Sequence, residues 1–229
     1  MNITTGIVDI HHDDGAFDLA AAQRAGLVAL IHKASQGKDW HDPGFDAAMD
    51  AAHAAGLLVG AYHFGSDSSP GEVQADFVLR TVGHDITSAL LALDLEHNPD
   101  TVGGTMSTTN AALFVRRVHD ATNRWPVLYA GLSDLRARIK AAAPDVVAVL
   151  ANCPLWLAAY GPDPRTLAAP APWASWTLHQ YTNGADGPTD ATTFPRRTPG
   201  FARQIQDRSC FRGTADELRA WWATRVDPS

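Results

Sequence analysis

Short apolar runs alternate with longer amphipathic segments along almost the whole of this chain. Short runs rich in Val, Ile and Leu are typical of buried strands, whereas apolar residues that recur at helical spacing indicate helices. The predicted strands are Gly6–His11, Leu27–Lys33, Leu57–Phe64, Ala89–Glu96, Pro126–Ala130, Pro154–Tyr160, Trp176–Tyr181 and Gln204–Asp207. The predicted helices are Phe17–Ala25, Pro43–Ala55, Pro70–Val82, Ser107–Thr122, Leu132–Ala142 and Thr214–Thr224. Strands and helices that alternate in this way predict an α/β fold built on a parallel barrel.

The ends of several predicted helices carry local signals. Gly26 follows the first helix, Pro43 opens the second and Gly56 follows it, as expected of residues that begin and end helices. Helices become short or absent late in the chain, notably across Gly161–Ser175. We therefore expect a single irregular TIM-like (β/α) barrel, one domain over residues 1–229, with shortened or missing late helices.

The composition is that of an ordinary globular protein, with 45% hydrophobic and 19% charged residues in 229. A net charge of −7 gives no support to a nucleic-acid partner. No apolar run approaches the ~18 residues of a membrane span. The N-terminal residues lack the basic and apolar regions of a Sec signal, so we expect a protein made in the cytoplasm, or one whose signal has been removed. The two cysteines, Cys153 and Cys210, indicate no disulfide framework and are expected to be buried free thiols.

The most informative segment is Leu91–Asn98, an apolar strand whose end carries Asp94 and Glu96. Strand side chains alternate between faces, so these two acids share one face with Cα atoms about 6.6 Å apart. Two like charges on an apolar face are costly, because each raises the pKa of the other. Hydrolysis of an acetal uses such a pair, with one carboxyl protonated as the acid and the other ionised beside the developing positive charge. Strand context alone leaves open that the acids merely cap a turn at Asn98-Pro99.

Polar residues also collect where the other predicted strands end. They are Asp9, His11, Lys33, Ser35, His63, Tyr129, Tyr160, Gln180, Tyr181 and Asp207. In a parallel barrel all these ends open on one face, where active sites are built. A convergence of Asp, Glu, His, Gln and Tyr on that face is difficult to explain by packing and favours catalysis.

A series of segments, in register over almost the whole chain, resembles the glycoside hydrolase family 25 lysozymes, a muramidase family of fungal, streptomycete and phage enzymes. The matching segments are Gly6–His12, Leu30–Gly37, Asp42–Phe45, Ala54–Leu57, Gly60–Phe64, Leu93–Glu96, Val127–Gly131, Leu155–Tyr160, His179–Tyr181 and Asp207–Gly213. The resemblance implies cleavage of the β-1,4 bond between N-acetylmuramic acid and N-acetylglucosamine in peptidoglycan glycan strands, without a cofactor or a metal.

The resemblance also implies roles for individual residues. Glu96 corresponds to the general acid, which later activates water as a base, and Asp94 to the residue that orients the substrate's own 2-acetamido group as the nucleophile. This substrate-assisted route retains the anomeric configuration. Asp9 and Asp207 correspond to two further acids that hold water, sugar hydroxyls or Asp94. The implied substrate-binding residues are Tyr62, His63, Tyr129, Trp156, Tyr160, Gln180 and Tyr181.

Two other classes of function compete with this interpretation. The first is a metal-dependent barrel hydrolase, whose candidate ligands are His11, His12, Asp13, Asp14, His63 and Glu96. Adjacent histidines on a strand point to opposite faces, which argues against a catalytic metal there. The second is a non-catalytic barrel that binds sugar or a partner, which would not need the acids.

Two questions of context stay open. The stretch Asp186–Arg203 is longer than the family leads us to expect, and is either a surface loop without function or a contact for substrate or partner. A muramidase without a Sec signal would reach the wall by lysis, as phage lysins do, or by specialised secretion, as effectors do. An effector would be expected to have a cognate immunity protein that occupies the cleft.

Overall fold

A computed structural model describes residues 2–98, 103–203 and 206–226. The strands in these ranges are β1 (Thr4–Ile10), β2 (Ala29–Gln36), β3 (Trp40–His41), β4 (Leu58–Phe64), β5 (Ala89–Asp94), β6 (Val127–Gly131), β7 (Leu155–Ala158), β8 (Leu178–Thr182) and β9 (Asp207–Phe211). The helices are α1 (Leu19–Arg24), α2 (Phe45–Ala54), α3 (Gly71–Val82), α4 (Thr108–Thr122), α5 (Leu132–Ala141), α6 (Pro144–Leu150) and α7 (Ala215–Ala223). Two 3₁₀ turns cover His12–Asp14 and Gly83–Thr87.

Eight of the described strands close into a barrel, which confirms the predicted α/β barrel class. Hydrogen-bonded neighbours follow the order β1, β2, β4, β5, β6, β7, β8, β9 and back to β1, and the short β3 pairs with the end of β2. Neighbouring barrel strands are parallel except at β9, which runs antiparallel to both β8 and β1. The expectation of a wholly parallel barrel is therefore wrong at this strand.

The connection before β9 explains its direction. A parallel connection must carry the chain back to the opposite end of the barrel, usually through a helix. Residues 183–203 and Gln206 contain turns and bends but no helix, so the chain re-enters the barrel from the rim at which β8 ends. The predicted last strand, Gln204–Asp207, is wrong in its bounds, because β9 begins at Asp207. Gln204 and Ile205 lie outside the described residues.

Capping side chains define the best-predicted helices. Ser107 Oγ accepts a hydrogen bond from Asn110 N at the start of α4, and Asn123 adopts the left-handed conformation at its end, with φ of 56°. Helix α6 was not predicted, because it is short and buries only Leu150 completely, so its apolar period is weak. Residues 159–177 contain turns in place of a helix, which confirms the predicted irregularity.

The core has two layers that follow strand alternation. Ile7, Ile31 and Trp156 belong to a cluster inside the barrel, whereas their neighbours on the strands pack outward against the helices. Helix α7 closes the end of the barrel at which β4 begins, where Trp222 Nε1 donates to the carbonyl of Val59 over 3.0 Å. The carboxyl ends of the parallel strands lie at the other end.

Two smaller expectations can be compared directly with the structure. Cys153 and Cys210 are buried free thiols, as predicted. None of the described helices is both long enough and apolar enough to cross a membrane.

Candidate active site

A pocket of about 300 Å³ opens at the rim where the parallel strands end. It is lined by Asp9, Tyr62, Asp94, Glu96, Tyr129, Trp156, Gln180 and Asp207. All eight belong to the set of predicted site residues, and Tyr160 lies beside them in an adjoining groove. The tertiary structure thus brings together nine of the eleven predicted side chains.

Asp94 and Glu96 both face the pocket although β5 ends at Asp94. The extended pairing continues by one residue, because Leu95 N donates to the carbonyl of Tyr129 over 2.9 Å. Leu95 itself is buried in the outer core. The alternation of faces predicted for the strand therefore persists to Glu96, and the two carboxyl groups point into the barrel mouth.

Asp207 reaches this rim by a different route from the predicted one. It begins the antiparallel strand β9, and its Cα is paired with that of Asp9 on β1. The sequence placed Asp207 at the carboxyl end of a parallel strand. The reversed direction of β9 delivers the start of that strand, instead of its end, to the same rim.

Burial raises the pKa of all four carboxyl groups, and nearby acids add to the rise. Burial has the largest effect on Asp9, followed by the charge of Asp207. Burial and then the charge of Glu96 raise the pKa of Asp94 well above its ordinary value, and burial raises that of Glu96. Burial and nearby acids raise the pKa of Asp207 to about 6. The raised pKa values favour the protonated forms of these carboxyl groups, and a general acid needs such a proton to donate.

Lys33 lies within β2, three residues before the end of that strand, and it has no role in the site predicted from the sequence. Its Nζ lies 4.7 Å from the ring centre of Phe64 and donates to Gln36 Oε1 over 2.7 Å. Its positive charge opposes the rise in the pKa of Asp94 and Glu96, while burial lowers its own pKa. A lysine that ends an otherwise apolar strand was the available signal.

Gln180 links the aromatic wall of the pocket to Asp9. Its Oε1 accepts hydrogen bonds from the hydroxyl groups of Tyr129 (2.8 Å) and Tyr160 (2.7 Å), and its Nε2 donates to Asp9 Oδ2 over 2.9 Å. Gln180 is almost completely buried. These contacts assign Gln180 to the positioning of Asp9, and leave little of its amide for direct contact with a ligand.

Two carboxylate oxygens in the pocket have no hydrogen-bond partner among the described residues, namely Asp9 Oδ1 and Asp94 Oδ1. Trp156 presents a ring whose Nε1 is already bonded to Ser209 Oγ over 2.9 Å. Tyr129 packs edge-on against this ring, with centres 4.8 Å apart. The pocket therefore combines acceptor oxygens with rigid aromatic faces, a combination suited to a polar ring such as a sugar.

His63 and Tyr181 do not line the pocket, which corrects their predicted contact with substrate. His63 is buried on the outer face of β4, where it bonds to Ser35 Oγ (2.9 Å) and Gln74 Oε1 (3.2 Å). Burial lowers its pKa to about 4. Strand alternation is the reason, because Tyr62 faces inward and its neighbour must face outward.

The same alternation turns Tyr181 away from the pocket, next to the inward-facing Gln180. Its hydroxyl donates to the carbonyl of Pro195 over 2.7 Å and accepts from Arg208 Nε over 3.0 Å. Burial raises its pKa to about 12. The Tyr181 hydroxyl group therefore anchors the segment 186–203 through the carbonyl of Pro195.

That segment is packed onto the barrel. Phe194 is fully buried, and Phe201 forms an antiparallel bridge with Phe17. Arg203 Nη1 bonds to Asp14 Oδ1 over 2.7 Å, in the loop that follows β1. The segment is thus part of the rim around the pocket, and its contact with substrate or a partner stays a prediction.

Comparisons with known proteins agree with this geometry. A lysozyme M1 from Streptomyces globisporus is 29% identical over 231 residues, which cover 95% of this chain and 71% of that protein. The crystal structure of a bacterial lysozyme from Streptomyces coelicolor superposes with a TM-score of 0.77 at 27% identity, covering 97% of this chain and all of the other. A muramidase from Acremonium alcalophilum gives a TM-score of 0.74 at 27% identity, covering 95% of this chain and 98% of the other.

The family model for glycosyl hydrolases family 25 matches residues 8–188, which include the last three residues of β1, all of β2 to β8 and seven of the eight pocket residues. Only Asp207 lies beyond the match. With the barrel, the paired carboxyls and the relatives in agreement, this chain belongs to glycosyl hydrolases family 25.

Proposed function

We propose that this protein is an N-acetylmuramidase that cleaves the β-1,4 bond between N-acetylmuramic acid and N-acetylglucosamine with retention of configuration. The coarser assignment, a glycosidase that hydrolyses peptidoglycan, follows from the family and from relatives that are lysozymes and muramidases. The observation that carries the finer proposal is the pair Asp94 and Glu96, both directed into one pocket from adjacent inward positions.

Glu96 is assigned the proton transfer to the leaving oxygen. It is the less buried member of the pair, and it lines both the pocket and the adjoining groove. Burial raises the pKa of Glu96, which favours the protonated form that a general acid needs. In the first step this proton passes to the glycosidic oxygen as the bond to C1 breaks. The resulting carboxylate then takes a proton from the water that attacks C1.

Asp94 is assigned to the substrate's 2-acetamido group. Its Oδ1 is buried and has no hydrogen-bond partner among the described residues, so it is free to accept the amide N–H. Held in this way, the acetamido carbonyl oxygen attacks C1 as the leaving group departs, and water later reopens the ring. The two displacements together retain the configuration at C1. Asp9 and Asp207 are assigned to binding sugar hydroxyls or water at the same rim.

A groove beside the pocket fits a polymeric substrate. It has a volume of about 880 Å³ and shares Glu96 and Tyr129 with the pocket. Tyr160 and Pro162 continue its wall beyond the end of β7. A glycan strand could therefore pass Glu96 with sugar rings on both sides of the bond to be cleaved.

Replacement of Glu96 by Gln tests the assignment. Glu96→Gln keeps the shape of the side chain but removes the transferable proton, so lysis of purified cell walls should fall by about 100-fold or more. Circular dichroism should show an unchanged fold. Near-normal lysis by the folded variant would overturn the role of Glu96, and an absence of lysis by the wild type with retained wall binding would favour a non-catalytic binder.

The released ends distinguish the bond and the stereochemistry. Borohydride reduction of the products should label N-acetylmuramic acid, whereas labelled N-acetylglucosamine would contradict the muramidase assignment. Proton NMR taken before mutarotation should show the β anomer first. An initial α anomer would exclude retention and leave the hydrolase assignment standing.

The remaining alternatives have specific tests. A metal-dependent hydrolase would lose its lytic activity after treatment with a chelator. His63 is buried and faces outward, which removes it from the candidate metal ligands.

A cognate immunity protein also stays a proposal. Such a protein would occupy the pocket and protect cell walls from lysis. Co-purification of such a protein with the wild type but not with a pocket variant such as Tyr62→Arg would support it.

A further inference from the structure

The loop after β1 gathers three potential metal ligands outside the pocket. Strand β1 ends at Ile10, and a 3₁₀ turn covers His12–Asp14. The strand alternation that would separate two adjacent histidines therefore does not apply, and the rings of His11 and His12 have centres 5.6 Å apart. One ligand atom from each of His11, His12 and Asp13 lies within 4.8 Å of the other two.

The distances approach those of a coordination shell. Asp13 Oδ1 lies 3.4 Å from His12 Nε2, and Asp13 Oδ2 lies 3.9 Å from His11 Nδ1. Two ligands of a tetrahedral Zn²⁺ ion, each about 2.1 Å from it, stand about 3.4 Å apart. The His12–Asp13 pair already has this spacing. His11 Nδ1 accepts a hydrogen bond from Asp13 N over 3.3 Å, so a bound ion would take up this lone pair in place of that bond.

Asp42 positions His12 for this role. Its fully buried carboxylate accepts hydrogen bonds from Gly44 N (2.8 Å) and His12 N (3.3 Å), and it lies 2.9 Å from His12 Nδ1. An ionised carboxylate only accepts hydrogen bonds, so this contact selects the tautomer with its N–H at Nδ1, which leaves the lone pair of the neutral ring at Nε2. A carboxylate that fixes the opposite nitrogen of a histidine is the usual support of a metal ligand.

We propose that His11, His12 and Asp13 form a binding site for one divalent transition-metal cation of the Zn²⁺ class, with Asp42 as the residue that positions His12. Two imidazole nitrogens and one carboxylate oxygen suit Zn²⁺, whereas Ca²⁺ and Mg²⁺ prefer oxygen ligands. The side chains of His11 and His12 are 38% and 34% exposed, which leaves room for water as a fourth ligand. None of the three ligands lines the pocket, so the site is separate from Asp94 and Glu96.

Isothermal titration of ZnCl₂ into the untagged, chelator-treated protein tests the site. The wild type should bind one ion, and the double variant His11→Ala/His12→Ala should lose at least 10-fold in affinity. Asp42→Asn should weaken binding by about 10- to 100-fold, the usual effect of losing such a support. His53→Ala is the matched control. Among the described residues His53 forms an ion pair with a single carboxylate, Asp85 at 3.4 Å, so this variant should bind Zn²⁺ as the wild type does.

Electron paramagnetic resonance with Cu²⁺ gives a second measurement that does not depend on the stability of the Asp42 variant. Hyperfine splitting should indicate two nitrogen ligands in the wild type and one in His11→Ala or His12→Ala. Absence of Zn²⁺ binding by the wild type, or unchanged affinity in the double variant, would overturn the site. Equal binding of Ca²⁺ would overturn the assigned class of cation.

Discussion

Asp94 and Glu96 share one pocket but are assigned to different bonds, so their variants should respond differently to the leaving group. Substrates with an activated aryl leaving group need little protonation, and they should partly rescue Glu96→Gln. Asp94→Asn should stay slow on them, because it impairs the attack of the acetamido group. The measurement is the steady-state initial rate of each variant on an activated substrate and on the natural substrate. Equal rescue of both variants would contradict the division of roles.

Tyr160 and Tyr181 both end in hydrogen-bonded hydroxyl groups, yet only Tyr160 bonds to the pocket residue Gln180. Tyr181→Phe leaves Arg208 Nε and the carbonyl of Pro195 without this partner, so it should destabilise the fold by about 1–3 kcal/mol while the lysis rate per folded molecule is kept. Tyr160→Phe should lower the turnover rate with a smaller effect on stability. Urea unfolding and wall lysis, measured on both variants, separate the two roles. Loss of turnover in Tyr181→Phe would restore its predicted contact with substrate.

Among the elements, helix α7 is defined by a capping box at its start. Thr214 Oγ accepts from Glu217 N over 3.2 Å, and Glu217 Oε2 accepts from Thr214 N over 2.7 Å. Thr214→Ala should cost about 0.5–2 kcal/mol of stability, or a few degrees in melting temperature, because α7 closes the barrel end through Trp222. Thr192→Ala, at an exposed threonine outside any helix, is the control. Equal melting temperatures for Thr214→Ala and the control would contradict a structural role of the cap.

Element type was predictable for most of the chain because it depends on local periodicity. Strand β4 and helices α3 and α4 differ from their predicted bounds by one residue. The prediction placed the last strand at Gln204–Asp207, whereas β9 is Asp207–Phe211. The apolar pattern of this part of the chain does not indicate where the strand begins. The weak apolar period of α6 left it unrecognised.

At the scale of the whole molecule, the buried acids that are assigned to activity also make the stability of the fold depend on pH. The raised pKa of Asp207, about 6, means that the folded state holds a proton that the unfolded state releases near pH 4. Its contribution to stability is therefore present below pH 4 and lost as the pH rises to about 6. Buried His63 and His179, with pKa values of about 4, change stability in the opposite direction between pH 4 and 6.5.

A comparison of Asp207→Asn with the wild type isolates the acid, because the histidines are common to both proteins. The variant should gain in melting temperature relative to the wild type as the pH rises from 4 to 6, with little further change at pH 7. Differential scanning calorimetry at matched ionic strength measures this difference. A constant difference between the two proteins across that range would show that Asp207 titrates normally.

The sequence alone determined the α/β class and most element positions, and nine of the eleven site residues that it predicted line the pocket or the groove. These features follow from short-range rules, since alternation along a strand places Asp94 and Glu96 together whatever the rest of the chain does. Only the tertiary structure decided the features that depend on neighbours distant in sequence. They are the reversed direction of β9, the outward faces of His63 and Tyr181, the charge of Lys33 near the acids and the convergence of His11 with His12. A strand's direction and its inward face are set by what packs beside it, and a one-dimensional pattern does not contain that information.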